Sequence, residues 1–206
     1  MHFIKTLITI FLTALISLGC SNKFDPNEKN FKSIIGSHYE KEGSLCLGYR
    51  NSWPYEIALS ERGQQQPRIS QLNYLLKLGM LSVKEVEVDD HVLMSKIKVD
   101  RFSLTDRAKP FLKKIESTLS DSDIFDFCWG QLELDEIVRW VGPLKFGDFE
   151  EVSVAHTLKL SHVAEWATTQ EAKDIFQSIR TTTEEVESRS EKTFILGLSA
   201  LGWEVK

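Results

Sequence analysis

The chain has 206 residues, 42% hydrophobic and 27% charged, with 25 basic against 30 acidic side chains and a formal net charge of -5. Mild acidity excludes binding to nucleic acid or another polyanion by bulk charge, and an ordinary apolar fraction excludes a disordered chain. Beyond residue 18 there is no apolar run of the roughly 20 residues needed to cross a bilayer, and the length suits one good core or at most two small domains.

Lys5 precedes an apolar stretch over residues 7–18. A positive amino end, roughly 7 to 15 apolar residues and small residues before the cut make an export signal. The stretch is too short to span a hydrocarbon layer about 30 Å thick, so it reads as a removed signal and not as an anchor. It closes in Ile16-Ser17-Leu18-Gly19-Cys20, which resembles the lipobox of bacterial lipoproteins, where Leu is preferred at the place Ser17 holds. The resemblance implies a signal peptide over 1–19, a diacylglyceryl group on the Cys20 thiol, cleavage before Cys20 and a further acyl chain, such as palmitate, on the new amine. Two or three chains hold a protein firmly to a membrane where one holds it marginally. Ser21, in place of the Asp that retains lipoproteins at the inner membrane, implies the outer membrane, facing the periplasm. Removing Lys5 with the signal leaves a slightly more acidic mature chain.

Residues 20–32 are polar, with Pro26, and read as the lipidated tether. Alternating apolar residues at 44–49 and 55–59, on either side of Trp53-Pro54, predict two short strands. Pro67 opens a helix carrying Ile69, Leu72, Leu75, Leu76 and Met80, which Gly79 ends. Strands follow over 81–88 and 92–99, joined by a polar turn at Asp89-Asp90. Thr105 then caps a helix with Ala108, Phe111, Leu112, Ile115 and Leu119. The phrases Leu75-Leu76-Lys77-Leu78-Gly79-Met80-Leu81 and Phe102-Ser103-Leu104-Thr105-Asp106-Arg107-Ala108-Lys109, set around two strands, resemble the second half of a winged-helix domain, with Ala108 where that family carries glycine. The resemblance covers 67–119 and implies a hairpin wing between two helices.

Polar residues 120–123 suggest a boundary between an N-terminal part, 33–120, holding the first strands and the winged-helix-like unit, and a β-rich α+β part, 121–206. Together they read as one continuous globular domain over 33–206. In the second part, 124–129 and 132–141 are apolar strands ending at Gly142-Pro143. Residues 152–160 alternate cleanly, with Val152, Val154, His156, Leu158 and Leu160 on one face. Thr168 or Thr169 caps a helix over 171–179, and a last strand covers 193–198. The expected fold class is α+β, with the winged-helix-like unit and its hairpin packed with an antiparallel sheet.

With Cys20 committed to lipid, Cys46 and Cys128 are left in an oxidising compartment and are expected to pair. Residues 68–116 hold ten basic against seven acidic side chains, too small an excess for a phosphate-binding face, and export keeps the chain from the chromosome, so nucleic acid is not an expected partner. His156, His162 and Glu165 are the nearest approach to a metal set, His162 and Glu165 being three apart, but no third ligand stands at a recognisable spacing and the expected cofactor list is empty. No Gly-x-Ser-x-Gly phrase and no phosphate-cradling glycine loop occurs. Asp121, Asp123, Glu184, Glu185 and Glu187 lie in polar runs that read as solvated surface. Trp129, Trp140, Trp166 and Trp203, with Phe125 and Phe127, are enough to line a groove for a sugar, peptide or lipid, although strand and helix spacing also suits them to a core.

The expected function is a non-catalytic adaptor or binding module of the cell envelope that recognises an envelope protein or a cell-wall ligand. An envelope hydrolase or metalloenzyme, and an inhibitor or immunity protein against an exported toxin, are the alternatives. The intact mass of the protein purified from membranes should show loss of residues 1–19 and addition of acyl chains at Cys20; an unlipidated amino terminus would rule the anchor out.

Overall fold

The computed structural model describes residues 22–90, 94–116 and 123–206. Its first element is α1 (Glu28–Glu42), begun by Asn27, whose side chain accepts a hydrogen bond from Asn30 N–H at 2.9 Å. Glu28 in the first turn and Lys41 in the last complement the helix dipole. Phe31 and Ile35, one turn apart, are fully buried. Gly43 caps the end of the helix, its N–H donating to the Tyr39 carbonyl, and only glycine fits there because a Cβ would collide with the carbonyls of Tyr39 and Leu132. Residues 28–32, assigned to the tether by their polarity, thus belong to a helix whose apolar stripe is too narrow to stand out in the sequence.

Short strands β1 (Ser44–Cys46), β2 (Asn51–Ser52) and β3 (Tyr55–Ala58) follow, then a single 3-10 turn at Leu59–Glu61. Helix α2 (Gln66–Lys77) has Pro67 in its first turn and is stopped by Gly79 at φ +71°, as the sequence indicates. Strands β4 (Leu81–Asp90) and β5 (Ser95–Leu104) form a hairpin in register from Leu81 against Leu104 to Asp90 against Ser95. β3 adds to β5, giving a three-stranded sheet ordered β3-β5-β4.

The helix expected after Thr105 is corrected. Asp106–Phe111 is a 3-10 segment, and Leu112–Ile115 is strand β6. Pro110 has no N–H, and its ring would clash with the carbonyl of Asp106 in a continuing α-helix. The Thr105 hydroxyl, expected as the cap, donates to the carbonyl of Gly79 at 2.7 Å and makes no cap bond. Leu119 lies outside the described residues.

A second correction concerns 124–146, one 23-residue strand, β7 (Ile124–Phe146), which does not end at Gly142-Pro143. Its partner β8 (Phe149–Ser161) pairs Val141 with Ser153 and resumes at Leu144 with Glu151, so the ladder passes over Gly142 and Pro143. A bulge is where a residue without an N–H is tolerated inside a strand. Gly142 sits at φ +112°, and a Cβ there would come 2.9 Å from the Glu151 carbonyl oxygen. After a 3-10 turn at Glu165–Thr168, the single helix expected over 171–179 is two, α3 (Gln170–Ile175) and α4 (Gln177–Glu187). They break at Phe176, whose extended backbone turns its ring into the core against Tyr74 and Trp166. Strands β9 (Lys192–Ser199) and β10 (Gly202–Val205) complete a seven-stranded, antiparallel sheet: β1-β7-β8-β9-β10, with β2 and β6 also on β7. The fold class is α+β, as expected.

Two hydrophobic clusters hold these layers. The larger joins Leu72, Leu75 and Phe102 to Phe127, Trp129, Trp166 and Ile179, crossing the boundary suggested near residue 120. The smaller packs Phe31 and Ile35 of α1 on Val152, Val154, Leu196 and Trp203. Cys46 and Cys128, register partners on β1 and β7, form a disulfide that closes a separation of 82 residues. Replacing both with alanine should lower the unfolding free energy by roughly 3 to 5 kcal/mol in the chain-entropy picture, readable by denaturant titration. Two reactive thiols in the native protein would contradict the bridge.

Candidate functional site

A cleft of about 380 Å³ opens where the two sheets meet, lined by Leu78, Met80, Arg107, Phe111, Glu165, Trp166 and Thr169. Three stretches distant in sequence build it: the end of α2, the 3-10 segment made by Pro110, and the 3-10 turn that follows β8. Leu78 and Met80 reach it because Gly79 turns the chain sharply, and the Met80 N–H closes onto the Leu75 carbonyl at 3.0 Å. The last turn is tied to the sheet by Ala164 N–H donating to the Trp129 carbonyl at 2.7 Å.

The cleft has an apolar floor and charged rims. Trp166 is buried, with Phe111 packed edge-on to it at 6.1 Å. The Tyr74 hydroxyl donates to the Trp166 carbonyl at 2.8 Å, and its oxygen lies 2.9 Å from Thr169 Oγ1. Thr169 Oγ1 also accepts from Ala172 N–H at 3.1 Å, capping α3 as expected. The Trp166 indole N–H is buried and has no acceptor among the described residues, a state that native interiors rarely leave unanswered. Exposed Arg107 and Glu165 stand on different walls, so a cation and an anion flank the apolar floor. Such a cleft can hold an apolar side chain with polar groups on both sides.

Of the three weak metal candidates, only Glu165 lines this cleft. His162 is an exposed turn residue at φ +49°, its ring 4.0 Å from Glu133. His156 is 0% exposed beneath α1. The three are not brought together, and among the described residues no group of three or more His, Cys, Asp or Glu side chains could hold a metal ion. Glu184, Glu185 and Glu187 lie on α4, all exposed; Asp123 pairs with Lys114, and Asp121 is outside the described residues. The tryptophans also divide: Trp129 and Trp203 are core residues, Trp166 floors the cleft, and Trp140 is 40% exposed against Phe31. Phe127 is buried and Phe125 half-buried. Arg107 and Phe111 carry no signal in the sequence, since only the 3-10 segment turns them toward residues more than 50 positions away.

His156 makes a second polar cluster. Its Nδ1 lies 3.4 Å from the Val154 carbonyl and its Nε2 3.1 Å from the Tyr39 hydroxyl. A carbonyl only accepts, so Nδ1 carries the proton, Nε2 accepts, and Tyr39 O–H donates. Phe194 lies tilted against the ring at 5.0 Å, and His38 packs edge-on to Phe194 at 4.8 Å. Burial holds the imidazole pKa below its ordinary 6.5; the charge of His38 pushes the same way and the bond to Val154 opposes. The neutral ring is satisfied, and a protonated one would leave the Tyr39 hydroxyl proton without its acceptor.

A histidine whose folded pKa is depressed destabilises as pH falls through its unfolded value, because the unfolded chain binds the proton first; the loss levels off below the folded pKa. Thermal unfolding between pH 7.5 and 5 should therefore show a loss of stability beginning near 6.5, and His156→Gln should remove that component. An unchanged pH profile in the variant would assign the loss elsewhere. No protein-family model matches the chain, and no curated protein or solved structure matches it.

Proposed function

We propose that the chain is a lipid-anchored, periplasm-facing lipoprotein of the outer membrane that works as a non-catalytic binding module, with the Arg107–Trp166–Glu165 cleft as its ligand site. One observation carries this reading: the cleft and the first described residues, just after Cys20, lie at opposite ends of the β7–β8 ladder. Lys23 and Phe24 rest against Gly202 and Trp203 near the β7–β8 turn, whereas the cleft follows directly on Ser161, where β8 ends. Thirteen residues of strand at about 3.3 Å each separate the two. An anchor at Cys20 would hold one end at the bilayer and present the cleft to the periplasm.

The cleft's chemistry suits a segment of an envelope protein, or a peptide of the cell wall, that offers an apolar side chain between a carboxylate for Arg107 and a cation for Glu165. We also read residues 67–119 as winged-helix-like. Support comes from α2 leading into a hairpin whose second strand pairs with β3; the 3-10 segment at Asp106–Phe111 departs from the helix that family carries there. In this reading the unit serves as one wall of a protein-binding cleft, with no role in nucleic-acid binding.

A photoreactive side chain at Thr169, on the cleft rim, should give a discrete adduct in intact cells, reduced about tenfold by Arg107→Glu, the equivalent of 1.4 kcal/mol. A photoreactive side chain at exposed Ser60 should not give that adduct. Absence of any adduct at Thr169, or bound zinc that is lost with alanine at His156, His162 and Glu165, would defeat the binding-module reading.

A further inference from the structure

We propose that the end of the large sheet formed by the β7–β8 and β9–β10 turns is a lipid-bilayer contact surface, with Phe146, Phe149 and Leu201 entering the interfacial region beside the acyl chains on Cys20. This inference rests on reading Cys20 as lipidated.

The polar segment behind Cys20 does not hang free as a long tether. Asn30 Nδ2 donates to the carbonyls of Asn22 and Asp25, both at 2.8 Å. Asp25 N–H closes a turn onto the Asn22 carbonyl at 2.9 Å. Trp203 Nε1 donates to the Phe24 carbonyl at 3.0 Å. The chain is therefore pinned to the folded domain from Asn22 onward, and Cys20 is two residues before it. Two extended residues reach about 7 Å at most, so an acylated Cys20 would bring this end of the domain to the lipid surface.

Strand register identifies what stands at that end. Glu151 pairs with Gly197 and Phe146 with Phe149, so β9 continues past Gly197 to bring the β9–β10 turn level with the β7–β8 turn. The side chains there are apolar and uncovered: Leu201 is 81% exposed, Phe149 68% and Phe146 62%, with Leu144 and Phe24 also exposed. Phe146 and Phe149 are register partners on one face and Leu201 stands in the neighbouring turn, and exposed apolar side chains gathered at one end of a folded surface mark a place meant for contact. Alternation along the register puts Leu144, Phe146, Phe149 and Ile195 on the face away from α1, so no element of the described chain can cover them by a small shift of that helix.

Charge limits how the contact is made. Lys23, Lys145 and Lys206 stand at this end, but so do Asp25, Asp148, Glu150 and Glu151. Lys145 is 3.3 Å from Glu150, and Lys206 is paired with Glu151. The mixed signs fit shallow insertion of aromatic and aliphatic side chains, with lysine stems lying alongside, more than attraction to anionic lipid. Lys23 lies over the Phe24 ring at 5.1 Å and Lys206 over Phe149 at 5.8 Å, which places these cations at headgroup height if the rings enter.

The lipoprotein reconstituted in phosphatidylcholine vesicles carrying a photoactivatable group on the acyl chain should be labelled in residues 144–149 and at Leu201. Labelling at Met94, even more exposed on the β4–β5 hairpin of the other sheet, should be lower by about tenfold. Phe146→Asp with Phe149→Asp should abolish the label at 144–149 with the thermal transition unchanged, and adding anionic lipid should change it little. Label at the turns no greater than at Met94 would overturn the surface. So would a concentration-dependent dimer that the same double variant dissolves, since the face would then belong to a second copy. The same measurement on a Cys20→Ser chain, tethered by an amino-terminal hexahistidine to nickel-chelating lipid, decides the surface whether or not the native thiol is acylated. The intact mass of the native protein decides the acylation separately.

Discussion

The pairing requirement of β7 organises the molecule. Every N–H and C=O of a 23-residue strand must find a partner or water, and no single neighbour here is long enough to supply them all. β1, β2 and β6 serve its first part and β8 the remainder. Residues as far apart as Asn51 and Leu112 are thereby drawn to one strand. Register shifts at three places along β7–β8 let the ladder turn and pass Gly142-Pro143 without losing its partner. The disulfide reinforces this arrangement where it is weakest, tying the three-residue strand β1 to β7 at Cys128.

Around that strand the apolar residues form two clusters of different character. The larger unites α2, the hairpin and the α3–α4 pair, and it carries the cleft on its surface because Trp166 belongs to both. Among the described residues, α1 is what covers the smaller cluster on one face of β8 and β9, and at its edge lies the Tyr39–His156 pair. Burial disfavours the charged imidazole there, and the Tyr39 hydroxyl of α1 meets the neutral ring at 3.1 Å.

Much of the local structure could be read from residue types. Pro67 and Gly79 bracket α2, the alternation from Val152 to Leu160 marks β8, and Thr169 caps α3, because each depends on neighbours within a few residues. Three misreadings have a common cause. Phe176 is extended because a core pocket between Tyr74 and Trp166 takes its ring, β7 runs through Pro143 because Glu151 waits across a bulge, and Leu112–Ile115 is a strand because β7 offers it an edge. In each case a distant partner overrides the local periodicity. The cleft was legible only in Glu165 and Trp166, without the Arg107 and Phe111 that complete it.

By itself the sequence determined the α+β class, the position of α2 and the expectation that Cys46 pairs with Cys128, since composition and short-range spacing carry the first two and the parity of thiols the third. The hairpin after α2 is also foreseen, but its turn falls beyond the expected Asp89-Asp90, which are the last residues of β4. Only the tertiary structure decided that α1 exists as a covering helix, that His156 is a buried neutral base, and that charged and apolar groups separated by tens of residues meet in one cleft. It also set that cleft at the far end of the β7–β8 ladder from the residues next to Cys20. Strand register decides which ends of a sheet coincide, and register follows from the pairing of long strands, not from any short run of residues.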